Sequence, residues 1–332
     1  MDLIPYLQPI ATFSSGAISN VVTALLTAFY LRGNSKTTEF EKIKAGKFSE
    51  VLDNLLSSGK MSYMELYKCK NFLSIAKKAD EICLSSKSSE EDASNGNATN
   101  DFSEDSTSYD FDWFIRFFDS AGNVSNEKMQ QLWSRLLAGK INRTGSFSLR
   151  SIETLYNMSQ SEAELFRIAA SISLTEYGGS RIIYRSEYDD FATSEIEINE
   201  KYGLGAEEFS ILEECGLLSS LKQESYSTTI EGCTGIYTDN IILTFEKNNN
   251  FDYNENEEPI FEYNSYMLTQ TALQLLPIIQ AESNDDYIID LGLYLKKRNP
   301  KFIVKAYYVT DILENGNIAC DISEDLLENI SD

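Results

Sequence analysis

Apolar positions recur at helical spacing through the first half of the chain and loosen into short alternating runs in the second. The first run, Leu3 to Leu31, holds 29 residues without a charge. Pro5 and Pro9 interrupt its start, so the pattern predicts a helix from Gly16 to Leu31, with residues 10–15 as an extension. Ile18, Val22, Leu25 and Phe29 share one face. Gly16, Asn20, Ala24 and Ala28 form a row at four-residue spacing, beside Ser15, Ser19, Thr23 and Thr27. Rows of small residues let a second helix approach closely, and the run is also near the length of a membrane span. Residues 1–32 are therefore expected to serve membrane attachment or assembly, with a buried helix of a soluble fold as the competing reading.

Two helices follow. Thr38 to Leu56 carries Phe40, Ile43, Phe48, Val51, Leu52, Leu55 and Leu56, with Gly59 just beyond its end. Ser62 and Glu65 form a capping-box pattern that opens a helix from Tyr63 to Leu84, with Leu66, Tyr67, Phe72, Leu73, Ile75, Ala76 and Ala79 expected inward. The short connection makes residues 36–84 an antiparallel helical hairpin. Residues 85–108 turn to Ser, Asn, Asp and Glu, which predicts a disordered linker. Residues 109–174 read as a helical subdomain. It comprises an aromatic helix from Asp110 to Ser120, a helix capped by Ser125 and ended at Gly139, a turn at Gly145 to Arg150 into a third, and a second capping box at Ser159 and Glu162.

From 175 to 332 the pattern predicts an α+β subdomain. Arg181–Tyr184 is a short strand, Glu207–Cys215 a helix, and Ser225–Thr229 with Asn240–Lys247 a hairpin. Residues 248–259 form a polar loop, Leu268–Gln280 a helix kinked or ended near Pro277, Asp285–Arg298 a last helix and Phe302–Thr310 a last strand. Helix, hairpin and helix resemble a winged-helix arrangement. The fold class is thus α+β and mainly α.

Composition changes the functional picture more than the structural one. The 332 residues contain no histidine, which removes imidazole acid–base chemistry, histidine metal ligation and His-activated nucleophiles. Five cysteines are scattered without a C-x-x-C pair, which fits buried apolar side chains in a reducing compartment. The net charge of −24 is uneven: residues 1–87 hold 11 Lys and Arg against 8 Asp and Glu, and residues 88–332 hold 17 against 44. A body at −27 repels phosphate backbones, so nucleic acid is not an expected partner.

Candidate chemistry is sparse. Asp189, Asp190, Glu195, Glu197, Glu200 and Lys201 hold the residue types of a metal-dependent nuclease, although Glu195 to Ile198 equally suits an exposed alternating strand. Asp252, Asn254 and Asn256 begin like a calcium loop, but Glu257 and Tyr263 stand where glycine and glutamate are required. Asp285, Asp286 and Asp290 suit a helix N-terminus by charge alone. No metal or other cofactor is expected.

The segment from Asp112 to Ile141, followed by Gly145 to Leu155 and Ser161 to Phe166, resembles a bacterial family known as domain of unknown function 2806. The carriers are Trp113, Phe117, the run Met129 to Trp133 with Leu132, Leu136 to Gly139, and Gly145 to Arg150 with Phe147. Leu268-Thr269 and Leu275-Leu276 are also similar. The family's usual acidic residue after Ala-Gly is Lys140 here. The resemblance supplies no catalytic residues, and it implies a setting in bacterial defence and abortive-infection loci. Trp113 and Trp133 are expected in the core, and Arg150 either buried against Glu153 or Glu127 or holding an anion.

The expected function is a non-enzymatic sensor, scaffold or interaction protein in anti-phage defence, with a protein partner or self-association. Its expected place is the cytoplasm, free or anchored to the inner face of the membrane through residues 10–31. The competing expectations are a carboxylate-based metal nuclease or hydrolase, and a winged-helix regulator.

Overall fold

The computed structural model describes residues 22–23, 25, 48–59, 61–91, 111–143, 146–176, 181–185, 198–219, 222–227, 234–252, 260–313 and 318–328. The fold is α+β and mainly α, and the chain divides into two compact units, Met1–Asn157 and Met158–Asp332. The helix opened by Ser159 therefore belongs to the second unit, although its sequence pattern continues that of the helices before it.

Unit 1 is helical. Val22, Thr23 and Leu25 are helical, and Val22 and Leu25 are fully enclosed. Helix α1 (Phe48–Ser57) buries Val51, Leu52 and Leu55 and ends before Gly59, whose φ of +67° suits a residue without a Cβ. Helix α2 (Tyr63–Glu91) opens on the expected capping box: Ser62 Oγ accepts from Glu65 N at 3.2 Å, and Ser62 N donates to Glu65 Oε2 at 2.7 Å.

Two expectations fail on α2. It runs to Glu91, so residues 85–91 of the expected linker are helical, while residues 92–110 lie outside the described residues. Tyr67 is exposed rather than inward, because the buried stripe runs through Leu66, Cys69, Phe72, Leu73 and Ala76.

Helices α3 (Phe111–Ala121), α4 (Glu127–Asn142) and α5 (Leu149–Asn157) complete the unit. Their aromatic core is continuous. Trp113 stacks on Phe117 at 5.2 Å, Phe117 lies 5.3 Å from Trp133, and Phe72 meets Phe118 edge-on at 4.8 Å. The N-cap of α4 is Asn126 rather than Ser125, its side chain accepting from Met129 N at 3.1 Å. Gly139 does not end α4, which continues to Asn142. A Cβ on Gly139 would lie 2.7 Å from the Phe147 ring, so the glycine admits that ring against the helix. Asn71 Nδ2 donates to the Gly122 carbonyl at 2.9 Å, tying α2 to the α3–α4 turn.

Unit 2 begins with α6 (Gln160–Ser171), whose capping box is formed as expected: Ser159 Oγ accepts from Glu162 N at 3.2 Å. Its strands are β1 (Leu174–Glu176), β2 (Arg181–Arg185), β3 (Lys222–Ser227), β4 (Thr234–Tyr237), β5 (Ile241–Lys247), β6 (Ile260–Met267), β7 (Phe302–Ile312) and β8 (Ile318–Asp321). They form one antiparallel sheet in the order β3-β6-β2-β1-β4-β5-β7-β8.

The expected hairpin between Ser225–Thr229 and Asn240–Lys247 is not formed. β3 pairs with β6, and β5 lies between β4 and β7. Both runs alternate as strands, but pairing partners so distant in sequence leave no local signal. Phe261 on β6 stacks on Phe245 of β5 at 4.3 Å although three strands lie between them, so the sheet is strongly curled.

Besides α6, four further helices accompany the sheet among the described residues: α7 (Ile198–Lys201), α8 (Ala206–Glu214), α9 (Gln270–Ile279) and α10 (Asp285–Arg298). Ile198 opens α7 instead of continuing an alternating strand. Pro277 lies inside α9, which ends three residues later at Gln280 in the left-handed region, φ +53°. Helix α10 packs on β5 and β7, and its Ile288, Leu291 and Leu295 are buried. A Cβ on Gly292 would lie 2.8 Å from Leu243 and 3.0 Å from Leu327, so the contact is as close as a helix can come.

Candidate functional site

The polar side chains that converge in unit 2 come from α7, the turn after it and α10. The turn is set by Gly203, whose φ of +84° lets the chain reverse after one helical turn, and by Gly205 N, which donates to Glu208 Oε2 at 2.9 Å to open α8. This reversal carries Asn199, Lys201 and Tyr202 to the side of α10. Asn199 Nδ2 donates to Tyr287 Oη at 3.3 Å, and both residues are fully buried. The Tyr202 hydroxyl donates to Asp290 Oδ2 at 2.6 Å, Lys201 pairs with the same oxygen, and the Tyr202 and Tyr287 rings meet edge-on at 5.2 Å.

The electrostatics of this cluster move away from neutrality. Burial pushes the Tyr202 hydroxyl well above the ordinary tyrosine value, helped by its bond to Asp290, and burial does the same to Tyr287. Burial opposes ionisation of Asp290, but the hydrogen bonds from Lys201 and Tyr202 outweigh it and hold the carboxyl below its ordinary range. A group that shuttles protons at neutral pH needs the opposite tuning. The cluster can fix α7 against α10; it is not poised for acid–base work.

The sign of the pH effect follows. A tyrosine with a raised folded-state pKa stabilises the fold fully below the ordinary value of about 10, and that contribution is lost as pH climbs past it. We expect Tyr202 and Tyr287, among the chain's 19 tyrosines, to ionise only as unit 2 unfolds. Absorbance titration at 295 nm beside far-UV circular dichroism checks this; complete ionisation of all tyrosines with the dichroism intact would refute it.

Beyond Gly205, α8 buries Phe209 and Leu212 and directs Glu207, Ser210 and Glu214 outward, with Glu208 and Glu213 half-exposed. Helix α8, which follows α7 across this tight turn, carries four carboxylates and no cation. Cys215 follows it, its thiol pushed up to about 11 by burial and by the neighbouring Glu162, so it is a poor nucleophile.

The sequence-derived candidates are dispersed. Among the small-residue row, Thr23 is helical and half-buried, and Gly16, Ser19, Asn20, Ala24, Thr27 and Ala28 lie outside the described residues. No helix among the described residues is long and apolar enough to cross a membrane. Asp189, Asp190, Glu195, Glu197, Asn254 and Asn256 also lie outside the described residues; Glu200 and Asp252 are exposed, and Lys201 is committed to Asp290. Among the described residues no three of the acid, cysteine or histidine type are placed to hold a metal. Asp285 accepts from Asn240 Nδ2 at 3.1 Å.

In unit 1, Trp113, Phe117 and Trp133 are fully buried, Phe147 is buried and Leu132 is half-buried. Arg150 is exposed, not buried, and Glu153 pairs with Arg116 at 3.0 Å instead. Lys140 is the unexpected member. It is buried, its ammonium lies 5.0 Å over the Trp113 ring, and it donates to the Phe147 carbonyl at 3.2 Å. The only sequence signal for that role was its position, one turn below Leu136 on the buried side of α4.

These features define a two-unit α+β protein, helical in the first unit and built on a curled antiparallel sheet in the second, with an acidic helix α8 beside it. The chain belongs to the family described as Protein of unknown function (DUF2806), whose model matches residues 70–292. No curated protein matches the chain significantly, and no solved structure does.

Proposed function

We propose that the protein is a non-enzymatic interaction protein, a scaffold or sensor, that binds other proteins through its acidic second unit. The observation that carries this is the outer face of α8. A helix that reads DNA meets the phosphate-lined major groove with cations. Helix α8 instead offers Glu207, Glu208, Glu213 and Glu214. Such a face repels nucleic acid and complements a basic protein surface. The convergent cluster at Tyr202 and Asp290 supports the same reading, since its groups are consumed in holding α7 to α10.

The setting we propose, a bacterial antiviral defence locus, rests on the family resemblance alone. For Val22 and Leu25 we favour packing within the protein over a lipid-facing role, because both are completely enclosed.

The test is a photo-crosslinking residue at exposed Ser210 in cells carrying the full chain. Discrete protein adducts are expected, and Glu207→Lys with Glu214→Lys should remove them. Salt-sensitive shift of duplex DNA by the purified protein, or magnesium-dependent cleavage of nucleic acid, would overturn the reading.

A further inference from the structure

The far end of the sheet in unit 2 is closed in one place and open in the next. Strand β7 pairs with β5 from Phe302 to Tyr308 and outruns it, the last bond being Val309 N to Asn240 O at 2.8 Å. Beyond a bulge between Val309 and Asp311, β7 pairs with β8 alone among the described residues. The result is a two-stranded ribbon that overhangs the sheet.

On the β8 side, the lower part of β7 is sealed. Ala306 N donates to Asp325 Oδ1 at 3.1 Å, and Leu326 N donates to the Ala306 carbonyl at 2.9 Å, so the returning chain takes the place of a strand. Among the described residues β8 is the terminal strand of the sheet, with no further strand paired to it. Folded proteins ordinarily blunt such an edge. Here the strand is short and its neighbour bulged, but apolar groups remain exposed beside it: Tyr308 is 55 % exposed, Ile312 45 %, Leu313 44 % and Ile322 74 %.

We propose that the β7–β8 ribbon is a docking edge for an extended segment of another protein that alternates basic and apolar residues. The backbone of β8 supplies strand addition, and the exposed apolar side chains supply contact area on either side of it. Charge selects the occupant. Between Ala306 and Glu328 the described residues carry five carboxylates, Asp311, Asp321, Glu324, Asp325 and Glu328, and no lysine or arginine. Antiparallel pairing of β8 with a second copy would set two such surfaces against each other, which like-charge repulsion opposes. A basic strand meets Asp311 and Asp321 favourably while its apolar residues cover Ile312 and Ile322.

This rests on the reading of the protein as one that binds proteins, and it adds a surface separate from α8. The test uses the full chain and three synthetic peptides: alternating Lys–Val, alternating Glu–Val, and Lys–Val N-methylated on every second amide. Saturable fluorescence anisotropy is expected with the first, weakened about tenfold or more in each of the other two, with hydrogen-exchange protection at Ile318–Asp321. Asp311→Lys combined with Ile322→Ser alters two exposed side chains and should weaken Lys–Val binding similarly at unchanged melting temperature.

Absent binding, equal binding of the Glu–Val peptide, or undiminished binding of the N-methylated peptide overturns the proposal. So does concentration-dependent dimerisation that the double variant abolishes, because the occupant is then a second copy. Absence of adducts from the crosslinker at Ser210 in the otherwise unaltered chain, with ribbon binding intact, would count against the function proposed above and leave this inference standing.

Discussion

Trp133→Ala will destabilise unit 1 by about 3–5 kcal/mol, a third or more of a typical domain's stability. The indole is fully buried on α4, in ring contact with Phe117, which in turn stacks on Trp113. Truncation removes the transfer free energy of the ring and leaves a cavity in a helical core too interlocked to collapse around it. A second substitution sharpens the test. Trp133 Nε1 is buried with no hydrogen-bond partner among the described residues, a condition that itself costs about 1–3 kcal/mol. Trp133→Phe sheds that burden while keeping most of the apolar ring, so it should cost markedly less than alanine. Urea denaturation of both variants, followed by far-UV circular dichroism, reads the difference. Equal losses would mean that the indole N–H is satisfied in solution.

The second large effect belongs to Gly235. A Cβ at this β4 position would lie 2.5 Å from the Leu243 carbonyl oxygen and 3.2 Å from Ile242 Cγ1. The first of these is backbone, and β5 cannot yield, since all seven of its residues are also paired with β7. Gly235→Val must therefore push β4 out of register or open the β4–β5 ladder, at about 3 kcal/mol or more. Calorimetry should show the unfolding that includes unit 2 shifted to lower temperature. A variant that melts with the wild type would show that β4 is not held as the contacts imply.

What the sequence disclosed was what depends on neighbours along the chain. Ser62 with Glu65 and Ser159 with Glu162 are capping boxes because three residues separate each pair, and both are formed. Asp285 and Arg298 bound α10 as their charges relative to the helix dipole require. The aromatic helix around Trp113 and Phe117 was equally plain.

The errors share one cause. Gly139 looked like a helix terminator, whereas it makes room for Phe147, a partner that periodicity cannot name. The strand pairing of β3 with β6 spans more than thirty residues, and the candidate site joins Lys201 to Asp290 and Asn199 to Tyr287 across nearly ninety. Arg150 was expected either buried against Glu153 or Glu127 or holding an anion, yet it is exposed in the first turn of α5 and Glu153 pairs with Arg116, a partner 37 residues away.

The two tryptophans of the chain, Trp113 and Trp133, both lie in unit 1. Emission excited at the red edge of absorption, where tyrosine is silent, thus observes one half of the molecule only. A spectrometer can follow the helical half through a denaturant gradient while the sheet half stays dark, and dichroism then supplies the remainder. Whether the halves come apart together or in sequence can be decided on the unlabelled protein.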